Sequence, residues 1–70
     1  MEIKQVNVKE FDIFIGDGWE NHLRVTLSHG ERKAVPVAVA SHVEATPKLL
    51  ELIYYKVKKH VAQERANSGT

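Results

Sequence analysis

The chain has 70 residues, of which 43% are hydrophobic, 27% charged and 7% aromatic, and its formal net charge is +1. This length accommodates one small domain and excludes most large catalytic folds. With no cysteine in the sequence, disulfides and thiolate metal sites are excluded. Proteins that neutralise many phosphates usually carry a strong basic excess, so nucleic acid is not the expected partner.

The N-terminus gives no sign of export or membrane insertion. Met1 to Lys4 do not begin an apolar run of signal-peptide length, and no segment approaches the ~18 apolar residues that span a bilayer. We therefore expect a cytoplasmic protein with no membrane contact.

The first ten residues are ambiguous. Val6 and Val8 are out of phase with the apolar positions that follow, which indicates a break or bulge near Lys9 and Glu10. Residues 2 to 8 form either a separate strand or the first part of one long bent strand, and the pattern leaves both interpretations open.

Period-2 alternation predicts three strands, near residues 10 to 16, 22 to 28 and 34 to 40, because alternate side chains of a strand share one face. A loop over 17 to 21 would pair Ile13 with Val25, and a loop over 29 to 33 would pair Leu27 with Val35. Pro36 cannot donate to a ladder, which makes the third of these strands an edge. The predicted core face holds the odd-numbered residues Phe11, Ile13, Ile15, Leu23, Val25, Leu27, Val35, Val37 and Val39.

A single helix is predicted over residues 47 to 64. Thr46 is a good N-cap, and Pro47 is tolerated at the first helical position. Residues 41 to 44 also fit a capping box, but the proline allows at most one helical turn there. The apolar stripe of the helix comprises Leu49, Leu50, Ile53, Tyr54, Val57 and Val61.

These elements define an α+β fold. We expect a three-stranded antiparallel meander, or a four-stranded one if the N-terminal segment pairs, packed against one C-terminal helix in βββα order. Residues 1 to 64 form a single domain, and the polar residues 65 to 70 form a frayed tail.

No metal site, cofactor or catalytic residue is predicted. His22 and His29 lie at opposite ends of one strand, His42 lies in a connector and His60 on the helix, so the four histidines do not converge. A sheet with one helix also offers little volume for a ligand cavity.

The best acid and base candidates are Asp17, Glu20 and His22, around the first hairpin loop. A turn made soluble by polar residues explains them more simply. We expect the protein not to be an enzyme.

Two surfaces are candidate partner sites. On the helix, Leu52 and Tyr55 lie away from the core stripe beside Lys48, Lys56 and Lys59, a composition typical of interfaces that favour an acidic partner. The outer sheet face is predicted to be poor in charge; it carries Phe14, Arg24 and Ala38, together with Ala34, Pro36, Ala40, His22 and Thr26.

The sequence therefore favours a small non-enzymatic module that binds another protein or itself as a homodimer. By analogy of size alone it resembles accessory, adaptor or inhibitor proteins of phages, plasmids and bacterial operons. The alternative is a DNA-binding domain that lays its sheet in the major groove. In that case the contacting residues would be Arg24, Arg32, Lys33 and Lys58.

Overall fold

The structure is a computed structural model that describes residues 1–16 and 21–68. The elements are β1 (Glu2–Gln5), β2 (Glu10–Phe14), β3 (His22–Ser28), β4 (Lys33–Val39) and α1 (Pro47–Ser68). The strands form one antiparallel sheet in the order β1-β2-β3-β4. The predicted α+β meander with a C-terminal helix is confirmed, and the N-terminal segment is a separate fourth strand.

A turn over residues 6 to 9 separates β1 from β2. The Asn7 side chain holds it, because Asn7 Oδ1 accepts hydrogen bonds from the backbone N–H groups of Lys9 and Glu10, each at 2.9 Å. The Val6 N–H donates to the Glu10 carbonyl at 2.9 Å. Asparagine favours such turns because its side chain bonds to the backbone nearby.

The core lies between one face of the sheet and the predicted stripe of α1. The buried residues are Phe11, Ile13, Leu23, Val25, Ala34, Ile53, Tyr54 and Val57. Leu49, Leu50 and Val61 pack around this cluster and are partly buried. The helix stripe and the inward face of β2 and β3 are as predicted.

The register of the first hairpin differs from the prediction by two residues. Ile13 pairs with Leu23 rather than Val25, and the Ile15 N–H donates to the Asn21 carbonyl at 3.0 Å. A shift of two leaves every side chain on its face, because the strand period is two. The predicted loop residues Asp17 and Glu20 lie outside the described residues.

The second hairpin differs from the prediction in both its loop length and its register. Ser28 pairs with Lys33, so residues 29 to 32 form the loop, and Arg32 adopts a positive φ of 57°. This loop is one residue shorter than predicted. Leu27 therefore pairs with Ala34 instead of Val35.

A β-bulge in β4 restores the predicted pairing further along. The register shifts between Arg24 and Val25, after which Leu23 pairs with Val39 as expected. The extra residue of a bulge reverses which side chains face inward. Before the bulge, the shorter loop turns Ala34 inward, where it is buried, and places Pro36 across from the inward-facing Val25. Neither residue therefore lies on the outer face, to which the prediction assigned both.

The helix begins as predicted. Thr46 Oγ1 accepts a hydrogen bond from the Leu49 N–H at 3.2 Å, which is N-capping geometry. The helix ends at Ser68, four residues beyond the predicted end. The connector before it contains a turn closed by a hydrogen bond from the Val43 N–H to the Ala40 carbonyl, not a helical turn. Among the described residues, no helix has the length and apolar character to cross a membrane.

Candidate functional site

The free edge of β4 is the most exposed apolar part of the sheet. Residues 35 to 39 are all exposed, and Val35, Val37 and Val39 keep 39%, 54% and 40% of their surface in solvent. The sequence between Lys33 and Glu44 contains no Asp, Glu, Lys or Arg. Monomeric proteins usually protect an edge strand with charges, so this edge is open to pairing.

The backbone of β4 limits where a further strand can pair. The Ala40 N–H donates to the His22 carbonyl at 3.0 Å, so it points into the sheet. Since backbone groups alternate in direction along an antiparallel strand, those of Val39 point to the free edge. Pro36 has no N–H to offer, which confines pairing to the C-terminal half of the strand.

The other edge of the sheet, β1, has the opposite character. It is only four residues long, and Glu2, Lys4 and Gln5 are exposed on it. Short length and charged side chains are the usual protection of an edge against pairing.

A polar cluster crosses β2 and β3 on the outer face of the sheet. Arg24 Nε donates to Asp12 Oδ1 at 2.8 Å, and Arg24 Nη2 donates to Asp12 Oδ2 at 3.3 Å. His22 Nε2 lies 3.1 Å from the same Asp12 Oδ1. The hydrogen bond from Arg24, aided by His22, lowers the pKa of the Asp12 carboxyl despite partial desolvation, and Asp12 raises the pKa of Arg24.

Phe14 joins this cluster. Its ring stacks on His22 with centroids 4.9 Å apart, and Lys4 Nζ lies 5.8 Å from the Phe14 centroid. The predicted outer-face residues Phe14, Arg24 and Ala38 do share this face. The expectation that the face is poor in charge is wrong, because Asp12 and Lys4 also lie on it.

The helix surface agrees with the sequence analysis. Leu52 and Tyr55 are 46% and 51% exposed, and Lys48, Lys56 and Lys59 are exposed beside them in the helix. The Tyr55 ring meets the Tyr54 ring edge-on at 5.2 Å. The Tyr54 hydroxyl also lies 3.2 Å from His29 Nδ1. Residue spacing carries no signal for this contact, because it joins residues 25 positions apart.

The basic residues of the DNA-binding alternative do not form one surface. Arg24 lies on the outer face and is paired with Asp12, whereas Lys58 lies on the helix, with its Nζ 5.4 Å from the Tyr54 centroid. Arg32 is in the β3–β4 loop, and Lys33 begins β4. The sheet therefore separates Arg24 from Lys58.

The histidines are likewise dispersed. His60 Nε2 lies 3.3 Å from Glu64 Oε1 on the helix, far along the chain from His22 and Asp12. Within residues 1–16 and 21–68, no three His, Cys, Asp or Glu side chains gather as metal ligands.

Comparisons of the chain with protein-family models, with curated proteins and with solved structures found no match. A function therefore rests on the surfaces described above, of which the edge of β4 departs furthest from an ordinary solvated surface.

Proposed function

We propose that the chain is a small non-enzymatic protein-binding module that forms a homodimer through the free edge of β4. One observation carries the proposal: an edge strand presents five consecutive exposed residues without a charge. Adding a strand to such an edge pairs its free backbone groups and buries its apolar side chains. The chemistry of the edge therefore favours another strand as its partner.

A second copy of β4 fits this edge by symmetry. A two-fold axis at Ala38 would place Val37 opposite Val39 of the partner subunit, and Val39 opposite the partner's Val37. Both residues would meet an apolar counterpart, with no charge to desolvate. The small side chain of Ala38 lets the two strands approach at the axis. Such an isologous interface uses the same patch on both subunits and is the commonest form of homodimer.

The two edges together favour a closed assembly. Pairing through β4 would make a continuous sheet of eight strands whose outer edges are both β1. Because β1 is short and carries exposed Glu2 and Lys4, these outer edges resist further pairing. Association would then stop at the dimer.

The helix surface provides the site for a different protein. Leu52 and Tyr55 are exposed, and aromatic side chains are common anchors of interfaces. The neighbouring Lys48, Lys56 and Lys59 favour an acidic partner and association rates that fall with salt. In the proposed dimer two such surfaces are available, one on each subunit.

The charge distribution supports this proposal over DNA binding. The net charge is +1, and the one arginine on the outer sheet face already donates two hydrogen bonds to Asp12. We expect a salt titration against duplex DNA to give only weak, nonspecific binding. Nanomolar sequence-specific binding would reverse the ranking of the two functions.

The test of the homodimer is the solution mass of the chain and of two matched variants. Multi-angle light scattering over about 1 to 500 µM should show a monomer-to-dimer transition, because small interfaces of this kind give dissociation constants of about micromolar size. Val37→Lys should remain folded and monomeric, because the new charge would lie opposite Val39 of the partner subunit and would have to be desolvated. Tyr55→Lys, with the same new charge on the helix, should dimerise like the parent.

Two results would contradict the homodimer. A parent chain that stays monomeric throughout this range has no such interface. A dimer that Tyr55→Lys disrupts and Val37→Lys leaves intact is formed by the helix surface instead.

A further inference from the structure

A groove lies where the helix, the turn after β1 and the end of β3 meet, and no residue of β4 lines it. It has a volume of about 710 Å³ and is bounded by the second half of α1, the turn after β1 and the end of β3. Its apolar lining includes Val8, Phe11, Leu27 and Val61. This volume falls in the range of about 300 to 1,000 Å³ that is usual for ligand sites, whereas a sheet with one helix was expected to offer little cavity volume.

The turn after β1 holds an apolar residue at the mouth of this groove. Val8 is 89% exposed. The turn is nevertheless well bonded: the Gln5 side-chain amide donates to the Asn7 carbonyl at 3.0 Å, and Asn7 Nδ2 donates to Glu10 Oε1 at 2.7 Å. These bonds add to those of Asn7 Oδ1 within the turn. A valine displayed on a bonded turn offers a fixed apolar contact to a bound molecule.

The charged residues that line the groove are all cationic. Lys9, Lys58 and Arg65 lie around it, and no Asp or Glu is among its described lining residues. Glu64 contacts His60 and borders an adjoining depression, which shares Gln5, Val61 and Arg65 with the groove. The groove thus combines an apolar floor with lining cations that outnumber the one neighbouring carboxylate, which favours an anionic ligand.

We propose that this groove binds a single-chain anionic amphiphile such as a long-chain carboxylate. The alkyl chain would lie over Phe11, Leu27 and Val61, and the carboxylate would accept hydrogen bonds from the lining cations. None of the residues on β4 that form the proposed dimer edge lines the groove, so the two proposals stand or fall separately.

The test is an NMR titration of the full chain with decanoate below its critical micelle concentration. Decanol and decyltrimethylammonium serve as matched ligands with a neutral and a cationic head. Saturable amide shifts are expected at Val8, Leu27 and Val61. Decanoate should bind about tenfold more tightly than decyltrimethylammonium, because the cationic head group cannot accept the charge-assisted hydrogen bonds that the carboxylate accepts.

Variants assign the contacts. Lys58→Gln and Val8→Ser should each weaken decanoate binding several-fold, whereas Lys48→Gln, which removes the same charge outside the groove, should leave it unchanged. Far-UV circular dichroism checks that each variant is folded.

Three outcomes would overturn the proposal. The first is equal binding of the cationic ligand, and the second is a set of shifts centred outside the groove. The third is tighter binding of a peptide of alternating aspartate and leucine at the same amides, which would reassign the groove to a protein partner.

Discussion

The two edges of the sheet differ in length and in the polarity of their exposed side chains. At β1 the exposed positions include Glu2 and Lys4 on a strand of four residues, whereas β4 is seven residues long and has exposed valines at 35, 37 and 39. Both edges leave backbone groups unpaired, so the backbone alone does not distinguish them. The side chains do, because a charge on an edge must be desolvated before another strand can pair.

Only part of the β4 edge is available for pairing with another strand. Pro36 and the bulge interrupt its regular edge, and these are features that natural sheets use against uncontrolled pairing. Only the segment around Val37 to Val39 is left for a partner. A short segment of this kind fits a reversible dimer better than a permanent one.

The largest expected effect is on the sheet that both edges share. Val25→Asn should lower the free energy of unfolding by about 3–5 kcal/mol, because it removes a fully buried valine from the central region and leaves an unpaired amide there. Thermal denaturation should show a lost or strongly lowered transition. Thr26→Asn, which introduces the same side chain one residue along on the outer face, should retain the parent transition. Similar melting of the two variants would mean that the faces are assigned wrongly.

The second prediction concerns a variant in which both edges of the sheet are apolar. Glu2→Val combined with Lys4→Val removes the charges from β1 and leaves two apolar edges on each chain. A chain with two pairing edges forms open assemblies, so species larger than a dimer should appear in sedimentation velocity. The same pair of changes to Gln, which keeps β1 polar, is the control. An unchanged dimer in the valine variant would show that charge does not protect β1.

The third prediction concerns the cluster on the outer face between the two edges. The pKa of Asp12 is lowered in the folded state, so its contribution to stability is present above the unfolded pKa and is lost as pH falls through the folded pKa. Asp12→Asn should therefore be less stable than the parent at neutral pH, and the difference should shrink in acid. Chemical denaturation at several pH values measures it. A difference that is independent of pH would remove the carboxylate from the explanation.

The smallest expected effect tests the helix against the β4 edge. Leu52→Ala with Tyr55→Ala should change neither stability nor dimerisation by more than about 0.5 kcal/mol each, because both residues are exposed and outside the proposed dimer edge. Thermal denaturation and sedimentation equilibrium give the two values. An unfolded variant would show that these residues belong to the core, and a weakened dimer would move the interface to the helix.

The features that sequence predicted depend on local period and capping. The inward positions of β2 and β3, the helix stripe and the cap at Thr46 follow from residue spacing alone, and all three are confirmed. The strand register was predicted less well, because it depends on how each loop closes. The second loop is one residue shorter than predicted and holds Arg32 at a positive φ, and the bulge in β4 then restores the predicted pairing. No distinctive residue in the sequence marks either feature.

Among the candidate sites, residue spacing predicts one, and the other two are visible only in the folded chain. The exposure of Leu52 and Tyr55 follows from helical spacing and agrees with the structure. The edge position of β4 follows from Pro36, but the exposure of its valines was not predicted, because parity assigns them to the core. The shorter second loop places Val35 on the outer face, and Val39 is 40% exposed even though it pairs with Leu23 as predicted. The groove was also missed, since Val8, Leu27 and Val61 come together only in the folded chain.

Amide hydrogen exchange compares the two edges most directly. If β4 pairs with a second β4, the Val39 amide should become more protected as the protein concentration rises through the dimerisation range, while no amide of β1 gains protection. Val37→Lys should abolish the concentration dependence at Val39. Protection at Val39 that does not change with concentration in the parent, or that changes equally at β1, would contradict a dimer built on the β4 edge.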